Sequence, residues 1–274
     1  MTASLGYEKK RVVISGCFSG MGEATARLLL ELGAEVHGLD YKDCKLPLAS
    51  FTNVDLRDPA SIETAVAKIG GKVDALFNCA GLPQTFPPVD VMKVNFVGTR
   101  HLTNQVAARM SSGGAIASIS STAGVGWQMR MPKSLELLKH ESFQDAVKWC
   151  EDNLETVREG YSFSKEVINI WTMMSSFHLI KRGIRINCIM PGPTQTPMMS
   201  AFESATPISV IDAAMQPINR RSTPEEQAGP LVFLNSDWAS YVNGVVFPVD
   251  GGFMAGLATG QVDMSAMMGA AAQK

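Results

Sequence analysis

The sequence has no cluster of lysine and arginine residues, and its formal net charge is −2 at pH 7. A nucleic-acid surface needs such a cluster, because much of the affinity for a polyanion comes from the release of its counterions. The chain also has no apolar stretch long enough to cross a membrane, and residues 1–11 lack the apolar segment of a secretion signal. We therefore expect no nucleic-acid partner, no membrane contact and a cytoplasmic location, with a small molecule as the ligand.

Cysteine is too sparse and too scattered to form a disulfide framework or a metal site. The five residues are Cys17, Cys44, Cys79, Cys150 and Cys188, and their spacing is not that of metal ligands. An odd number of cysteines fits free thiols in a reducing compartment. We predict no bound metal. A redox-sensing role for Cys17 or Cys79 stays open as an alternative, although buried cysteines are usually inert.

What the sequence does contain is an alternation of short apolar runs with amphipathic segments of helix length. With 274 residues, of which 46% are hydrophobic, the chain can bury one large core. The runs that we interpret as buried strands are residues 11–15, 35–40, 73–79, 115–120, 185–189 and 245–249. Segments between them, such as 22–32 and 61–69, have helical spacing. This alternation predicts an α/β fold, a doubly wound, Rossmann-like parallel sheet in a single domain over residues 1–252.

Two long regions interrupt the alternation, and both follow the carboxyl end of a predicted strand. Residues 128–160 are interpreted as a helical insertion, and residues 194–221 as a lid. Because parallel sheets bind ligands at the carboxyl ends of their strands, we expect both regions to shape a substrate pocket. The tail, residues 253–274, could be a docked arm, a subunit contact or a frayed end.

Glycines occupy the turn between the first predicted strand and the following helix, in the sequence Gly16-Cys-Phe-Ser19-Gly20-Met21-Gly22. Glycine lets the backbone approach a pyrophosphate closely, and the free N–H groups of a helix N-terminus favour its negative charge. The motif alone is not specific, since glycine turns between strands and helices are common. In this context it predicts that Gly16, Ser19, Gly20, Met21 and Gly22 bind a dinucleotide.

The second predicted strand ends in Asp40, about twenty residues beyond the glycine loop, where a carboxylate can accept hydrogen bonds from the adenine ribose. The same charge would repel a 2′-phosphate, which predicts NAD as the cofactor instead of NADP. The nearby Lys42 leaves weak use of NADP open, and Asp40 could instead cap a turn.

The ends of two further strands add candidates for the cofactor site. Residues 53–56 close another predicted strand, where Asp55 could hydrogen-bond the adenine amino group and Leu56 could pack near its ring, although the acid could also be a turn residue. Asn78, Ala80 and Gly81 follow the next predicted strand. The small residues permit close passage of the backbone beside the cofactor, and Asn78 can tie adjacent strands together.

Tyr161 and Lys165 are four residues apart at the start of a helix-length segment, so they lie on one helix face, one turn apart. A free tyrosine titrates near pH ~10, and a neighbouring cation favours its phenolate, which makes the pair a candidate acid and base. An ordinary exposed pair would have the same spacing. Ser121, at the end of a buried strand, could donate to a carbonyl oxygen as charge develops there.

A last candidate segment follows the predicted strand at residues 185–189. Its residues Pro191, Gly192, Thr194 and Thr196 are placed where they could hold the carboxamide of a nicotinamide ring.

With these motifs in this order, the chain resembles a short-chain dehydrogenase/reductase from residue 11 to residue 252. The resemblance implies NAD(H)-dependent, metal-free interconversion of an alcohol and its carbonyl compound. It implies that Tyr161 is the acid and base, that Lys165 lowers its pKa and holds the ribose, and that Ser121 polarises the carbonyl. It also implies a water-linked proton relay from Asn95 through Lys165, although an asparagine there could simply satisfy a kinked helix.

The chain departs from the family pattern between Ser121 and Tyr161, where about thirty extra residues are inserted. Similar insertions occur in the branch that contains bacterial 3α-hydroxysteroid dehydrogenase/carbonyl reductase and coniferyl-alcohol dehydrogenase, which the chain also resembles around Cys17 and Thr194. Many family members dimerise beside the tyrosine helix, so the insertion could block or redesign that surface. We expect a homo-oligomer, a dimer or a tetramer.

Apolar residues of the lid and the insertion indicate the kind of substrate. They are Met198, Met199, Phe202, Ile208, Val210, Ile211 and Met215 in the lid, and Trp127, Met129 and Met131 at the start of the insertion. Methionines adapt to irregular apolar ligands, so we expect a bulky hydrophobic substrate such as a hydroxysteroid, a terpenoid or an aryl alcohol. Packing of these residues onto the core is the alternative. A small polar alcohol as substrate, or a non-catalytic NAD-binding protein, also stays open.

Overall fold

Seven strands form one wholly parallel sheet in the computed structural model of the chain, which describes residues 5–262. The strands are β1 (Arg11–Ser15), β2 (Glu35–Asp40), β3 (Ser50–Asn53), β4 (Val73–Asn78), β5 (Met110–Ile119), β6 (Arg185–Pro191) and β7 (Val246–Val249). Their order across the sheet is β3-β2-β1-β4-β5-β6-β7. The predicted doubly wound parallel sheet is therefore confirmed.

Continuous apolar runs produce the central strands, because both faces of these strands are covered. Every residue of β6 is buried, for example. The strand ends are where the sequence prediction was wrong. β5 begins at Met110, earlier than predicted, because its first half is polar and rich in glycine and has no apolar pattern. β3 ends at Asn53, so Asp55 and Leu56 follow this strand instead of closing it.

Helices cover both faces of the sheet. They are α1 (Gly20–Glu31), α2 (Pro59–Ile69), α3 (Pro88–Met92), α4 (Thr99–Ala107), α5 (Met131–Leu138), α6 (Phe143–Asp152), α7 (Leu154–Val157), α8 (Tyr161–Leu179), α9 (Met199–Ala205), α10 (Ile208–Ala213), α11 (Pro224–Asn235) and α12 (Phe253–Ala258). A π-helical segment, Lys93–Gly98, joins α3 to α4. Between residues 5 and 262, no helix has both the length and the apolar character needed to cross a bilayer. Of the predicted tail, residues 263–274 lie outside the described part of the chain.

Two apolar cores lie on opposite faces of the sheet, and neighbouring residues of β1 enter different ones. Val13 belongs to the core that includes Leu102 of α4, and Ile14 belongs to the core that includes Leu29 of α1. All four side chains are fully buried. Burial of one such side chain contributes about 1.5–3 kcal/mol. Both cores hold the sheet rigid beneath its carboxyl edge.

The insertion is helical, as predicted, and packs on the outer face of α8 through α5 and α7, and on α3 and the π-helical segment through α6. Arg130, just before α5, forms an ion pair with Glu166 of α8 at 2.7 Å, and the Glu166 side chain is 3% exposed. Trp149 of α6 stacks on Phe163 of α8 with ring centroids 6.0 Å apart. The insertion therefore covers the surface beside the tyrosine helix.

Candidate active site

Two neighbouring cavities lie at the carboxyl edge of the sheet. The first, the glycine-loop cavity, has a volume of about 410 Å³ and is lined by residues that follow β1, β2, β3 and β4. The second, the tyrosine cavity, has a volume of about 350 Å³ and is lined by residues that follow β5 and β6, by the start of α8 and by the lid. Sheets of this type bind ligands beside the point where the strand order reverses, here between β1 and β4.

The turn after β1 requires glycine. Gly16 has a φ of 78°, and a Cβ on Gly22 would lie 2.0 Å from the carbonyl oxygen of Gly16. The N-cap of α1, Ser19, makes no side-chain cap hydrogen bond, which leaves N–H groups of the first turn for a ligand. Gly16 and Ser19 line the glycine-loop cavity and Met21 lines the tyrosine cavity, whereas Gly20 and Gly22 shape the turn without lining either.

Asp40, the last residue of β2, lines the glycine-loop cavity. Its carboxylate accepts hydrogen bonds from the backbone N–H groups of Phe18 at 2.9 Å and of Lys42 at 3.0 Å. The bond from Lys42 is the local turn contact that was the alternative interpretation, and the bond from Phe18 fixes the carboxylate beside the glycine loop. The Asp40 side chain therefore both stabilises the turn after β2 and lines the glycine-loop cavity.

Asp55 and Leu56 line the same cavity. The Asp55 carboxylate accepts hydrogen bonds from the Arg57 side chain at 2.7 to 3.1 Å, and these bonds lower the pKa of Asp55. Arg57 also lies 3.6 Å from the Asp90 carboxylate. Sequence analysis missed Arg57 as a lining residue, and its position directly after Leu56 is the one signal that could have indicated it.

Asn78 ends β4 and is 3% exposed. Its Nδ2 donates to the hydroxyls of Thr103 at 2.9 Å and Ser118 at 3.1 Å, so the side chain ties β4 to β5 and to α4. Part of its predicted role, the tie between strands, is thus present, but the residue lines neither cavity. The small residues that follow it, Ala80 and Gly81, do line the glycine-loop cavity.

Tyr161 is the first residue of α8 and follows Gly160, which has a φ of 81°. Lys165 comes one turn later, with Nζ 5.4 Å from the centre of the Tyr161 ring. The buried Lys165 amine donates to the carbonyl oxygen of Ile119, at the end of β5, at 2.9 Å. The two groups therefore meet beside the sheet and are not the exposed pair that the spacing alone would allow.

Burial changes the acidity of both groups. It raises the pKa of Tyr161 to about 12, and a hydrogen bond with Ser121 acts in the opposite direction. It lowers the pKa of Lys165 to about 8. Desolvation of the phenolate is the larger of the two effects on Tyr161. The lowering of the Tyr161 pKa by Lys165 stays a prediction.

The two serines at the end of β5 have different surroundings. Ser120 is 1% exposed, and its hydroxyl donates to Oδ1 of Asn169 inside the fold at 2.6 Å. Ser121 lines the tyrosine cavity together with Tyr161, and its hydroxyl acts to lower the pKa of the phenol. The serine chosen from the sequence is thus the one whose hydroxyl adjoins the candidate acid.

Asn95 lies in the π-helical segment and is 1% exposed. Its Oδ1 accepts from the backbone N–H of Leu82 at 2.7 Å, and its Nδ2 donates to the hydroxyl of Ser164 at 3.2 Å. It therefore joins the loop after β4 to helix α8. The irregular helix that was the alternative explanation is present, and the proton relay stays a prediction.

Pro191, Gly192, Thr194 and Thr196 all line the tyrosine cavity. The Thr194 hydroxyl lies 3.0 Å from the carbonyl oxygen of Gly192 and 2.9 Å from the hydroxyl of Ser222. These contacts fix the loop after β6 against the segment that closes the lid.

The lid supplies much of the apolar lining of the tyrosine cavity. The lining residues are Met198, Met199, Phe202, Val210 and Ile211. Ile208 is 58% exposed, and Met215 lines a separate, smaller cavity. The prediction for Trp127, Met129 and Met131 is wrong, because the insertion packs on α8 and these residues line neither cavity; Met129 is 88% exposed.

The thiols near the glycine loop are not activated. Burial raises the pKa of both Cys17 and Cys79, which disfavours the reactive thiolate. The redox-sensing alternative gains no support from this geometry. Among residues 5–262, no three histidine, cysteine, aspartate or glutamate side chains are grouped as metal ligands would be.

The buried Lys165 should make stability depend on pH. Its folded pKa of about 8 lies below the ~10.4 of an unfolded lysine, so the folded chain binds the proton more weakly. The charged lysine therefore destabilises the fold below about pH 8, and this cost disappears as the pH rises towards ~10.4. We predict that Lys165→Met increases the free energy of unfolding at neutral pH by roughly 1–2 kcal/mol, and by less at pH ~9.5.

Urea unfolding of the ligand-free protein at both pH values measures the effect. The matched control is Lys139→Met, because Lys139 is exposed and should give the same small change at both pH values. A gain from Lys165→Met that does not vary with pH would contradict the prediction.

Comparison with known proteins agrees with this geometry. A family model described as short chain dehydrogenase matches residues 10–132, and one described as Enoyl-(Acyl carrier protein) reductase matches residues 151–254. The unmatched residues between them, 133–150, lie in the insertion. The two matches together contain every predicted site residue.

Individual proteins are similar to the chain over most of its length. The coniferyl-alcohol dehydrogenase of Pseudomonas sp. (strain HR199 / DSM 7063) is 33% identical, over 89% of this chain and 96% of its own. The 3-alpha-hydroxysteroid dehydrogenase/carbonyl reductase of Comamonas testosteroni is 29% identical over the same shares. The crystal structure of the 3-alpha-hydroxysteroid dehydrogenase from Pseudomonas sp. B-0831 complexed with NADH has a TM-score of 0.78 and 28% identity, covering 93% of this chain and 100% of that one. The chain belongs to the short-chain dehydrogenase/reductase family, an oxidoreductase family.

Proposed function

We propose that the protein is an NAD(H)-dependent oxidoreductase that interconverts a secondary or aryl alcohol and its carbonyl compound. The observation that carries this proposal is the group formed by Tyr161, Ser121 and Lys165, in which a phenol and a hydroxyl line the tyrosine cavity and a buried amine lies 5.4 Å from the centre of the phenol ring. The names of relatives support it, since two of them are a coniferyl-alcohol dehydrogenase and a hydroxysteroid dehydrogenase.

The residues of the glycine-loop cavity fit a dinucleotide. Gly16 and Gly22 leave room for the backbone to approach a pyrophosphate, and the first turn of α1 offers N–H groups to it. When bound, NAD⁺ supplies the acceptor for a hydride. The Lys165 amine, one turn from Tyr161, is proposed to hold the ribose hydroxyls.

Each group of the proposed site has a separate task in the reaction. Tyr161 takes the proton of the alcohol in oxidation and returns it in reduction. Ser121 donates a hydrogen bond to the substrate oxygen as its charge changes. Lys165 stabilises the phenolate by its positive charge, which the desolvated phenol needs because burial alone raises its pKa. Asn95 is proposed to continue the proton path from Lys165.

We predict that Tyr161→Phe lowers kcat by at least about 10²-fold, the contribution typical of a general acid or base. NADH binding, followed by fluorescence titration, should stay largely intact, because the phenol is not needed to hold the dinucleotide. Turnover is measured with NAD⁺ on a panel of hydroxysteroids, aryl alcohols, terpenols and polyols. The matched control is Tyr241→Phe, because Tyr241 is fully exposed.

Undiminished turnover by Tyr161→Phe would eliminate this residue as the acid and base. Tight NADH binding by the unaltered protein, with no turnover of any alcohol or ketone in the panel, would favour the non-catalytic NAD-binding alternative.

The preference for NAD over NADP is proposed from the charges around Asp40. Its carboxylate lines the cavity beside the glycine loop and would face a 2′-phosphate. Of the nearby cations, the Arg57 guanidinium is bound by the Asp55 carboxylate. Lys42 is exposed and lines the same cavity, and it is the residue that leaves weak use of NADP open.

We predict that Asp40→Ser reduces the preference for NAD⁺ over NADP⁺ by at least about tenfold, which corresponds to ~1.4 kcal/mol. The ratio of kcat/KM for the two cofactors measures it. Asp43→Ala is the control, because Asp43 is exposed and lies outside both cavities. An unchanged ratio in Asp40→Ser would show that this carboxylate does not select the cofactor.

A hydrophobic substrate is proposed from the lid. The tyrosine cavity is large enough for a ring-bearing molecule and has Met198, Met199, Phe202 and Ile211 on its lid side. Activity in the panel confined to polyols or hydroxy acids would contradict this proposal.

A homo-oligomer, a dimer or a tetramer, is also proposed. Large apolar side chains stay exposed on the surface that the insertion leaves uncovered, with Phe177 at 76%, Met174 at 44% and Phe247 at 39%. Phe247 belongs to β7, the edge strand of the sheet, whose outer side has no partner strand among residues 5–262.

A cytoplasmic location stays a prediction from the sequence.

Light scattering of the purified protein at micromolar concentration should therefore give a mass of at least two chains. Phe247→Lys should lower that mass, because a charge at the edge strand opposes pairing. Monomer mass for the unaltered protein would refute the proposed assembly.

A further inference from the structure

A hydrogen-bonded pair, Gln84 and Thr206, interrupts the apolar wall of the tyrosine cavity. Gln84 lies in the loop after β4, and Thr206 directly follows helix α9 in the lid. The amide Nε2 of Gln84 donates to the Thr206 hydroxyl oxygen at 2.8 Å, and both residues line the cavity. The pair therefore bridges the body of the protein and the lid at the substrate side.

Two other polar side chains of this cavity, Ser120 and Thr194, are bonded within the protein. Ser120 donates to Asn169, and Thr194 bonds to Ser222 and the backbone. The pair differs, because within residues 5–262 no hydrogen bond is made to Oε1 of Gln84. The Thr206 hydroxyl accepts from Gln84 and keeps its own proton to donate. The pair offers one acceptor and one donor to a ligand.

The position of the pair relative to Tyr161 follows from helix α9. Phe202 packs edge-on against Tyr161, with ring centroids 4.8 Å apart. Thr206 is four residues further on, and its N–H donates to the carbonyl oxygen of Phe202 at 2.8 Å. Thr206 caps the carboxyl end of α9, and four residues rise about 6 Å along a helix axis. The pair therefore lies about one helical turn along α9 from the ring that packs on Tyr161, and it lines the same cavity as the phenol.

We infer that Gln84 and Thr206 select a ring-bearing alcohol with a second hydroxyl at the end opposite the reacting carbon. The substrate hydroxyl donates to Oε1 of Gln84 and accepts from Thr206, while its ring lies against Phe202 and Met199. A polar site of this kind discriminates against a substrate that lacks the hydroxyl, because its own groups then stay unpaired. This inference rests on the proposed dehydrogenase function and names its substrate class.

The test compares two alcohols that differ only in the distal hydroxyl, para-hydroxyphenyl methyl carbinol and phenyl methyl carbinol. We expect the unaltered protein to prefer the hydroxylated alcohol by about tenfold in kcat/KM, the value of one good hydrogen-bonded pair. Gln84→Leu should reduce this preference to nearly none. Thr206→Val should independently weaken the preference for the hydroxylated alcohol. This second variant provides the test if Gln84→Leu folds poorly. The matched control is Gln144→Leu, because Gln144 is exposed in the insertion.

The outcomes separate this inference from the function on which it rests. Equal losses for both alcohols in Gln84→Leu would mean that the pair only fastens the lid, and would overturn the inference while leaving the dehydrogenase function intact. An unaltered protein that shows no preference would do the same. No turnover of either alcohol, or of any other in the larger panel, would sink the proposed function and this inference together.

Discussion

The parallel direction of all seven strands is the constraint on which the site depends. Because the strands run one way, the segments that follow β1, β2, β4, β5 and β6 emerge at one edge of the sheet. Backbone pairing fixes their register, so Ser15, Asn78 and Ser118 lie side by side on three strands. Groups that are distant in the sequence, such as Asp40 and Tyr161, are brought to this edge without any direct bond between them.

Burial at the carboxyl edge of the sheet disfavours the charged forms of Tyr161 and Lys165, which the proposed reaction needs. Desolvation makes the phenol of Tyr161 harder to ionise and the amine of Lys165 easier to deprotonate. The charged pair therefore requires a further favourable interaction in the complex with ligands. What the fold does supply is position, through the carbonyl oxygen of Ile119 on the amine and Ser121 on the phenol.

Local patterns in the sequence predicted the architecture, because buried strands and glycine turns leave strong signals. Most of the predicted site residues line one of the two cavities, among them Asp40, Leu56 and Ser121. Arg57 was missed although its main partner, Asp55, is two residues away. Gln84 was missed because its contact depends on a partner far along the chain, Thr206. No local pattern encodes such a meeting.

The insertion shows a different limit. An amphipathic helix buries one face, but its sequence does not specify the surface against which that face packs. The insertion was expected to line the substrate pocket, and this expectation was wrong. The strand ends were misjudged for a related reason, since polar residues such as those at the start of β5 join the sheet through backbone bonds alone.

Helix α8 is held from two directions by the two variable regions of the chain. The insertion is fastened to it by the buried pair of Arg130 and Glu166, whereas the lid touches its first residue through Phe202. The lid therefore supplies residues that line the cavity, whereas the insertion supplies residues of the outer surface, and both segments pack on α8. A change in the length or composition of the insertion can alter the outer surface of the molecule without altering any side chain that lines the cavity.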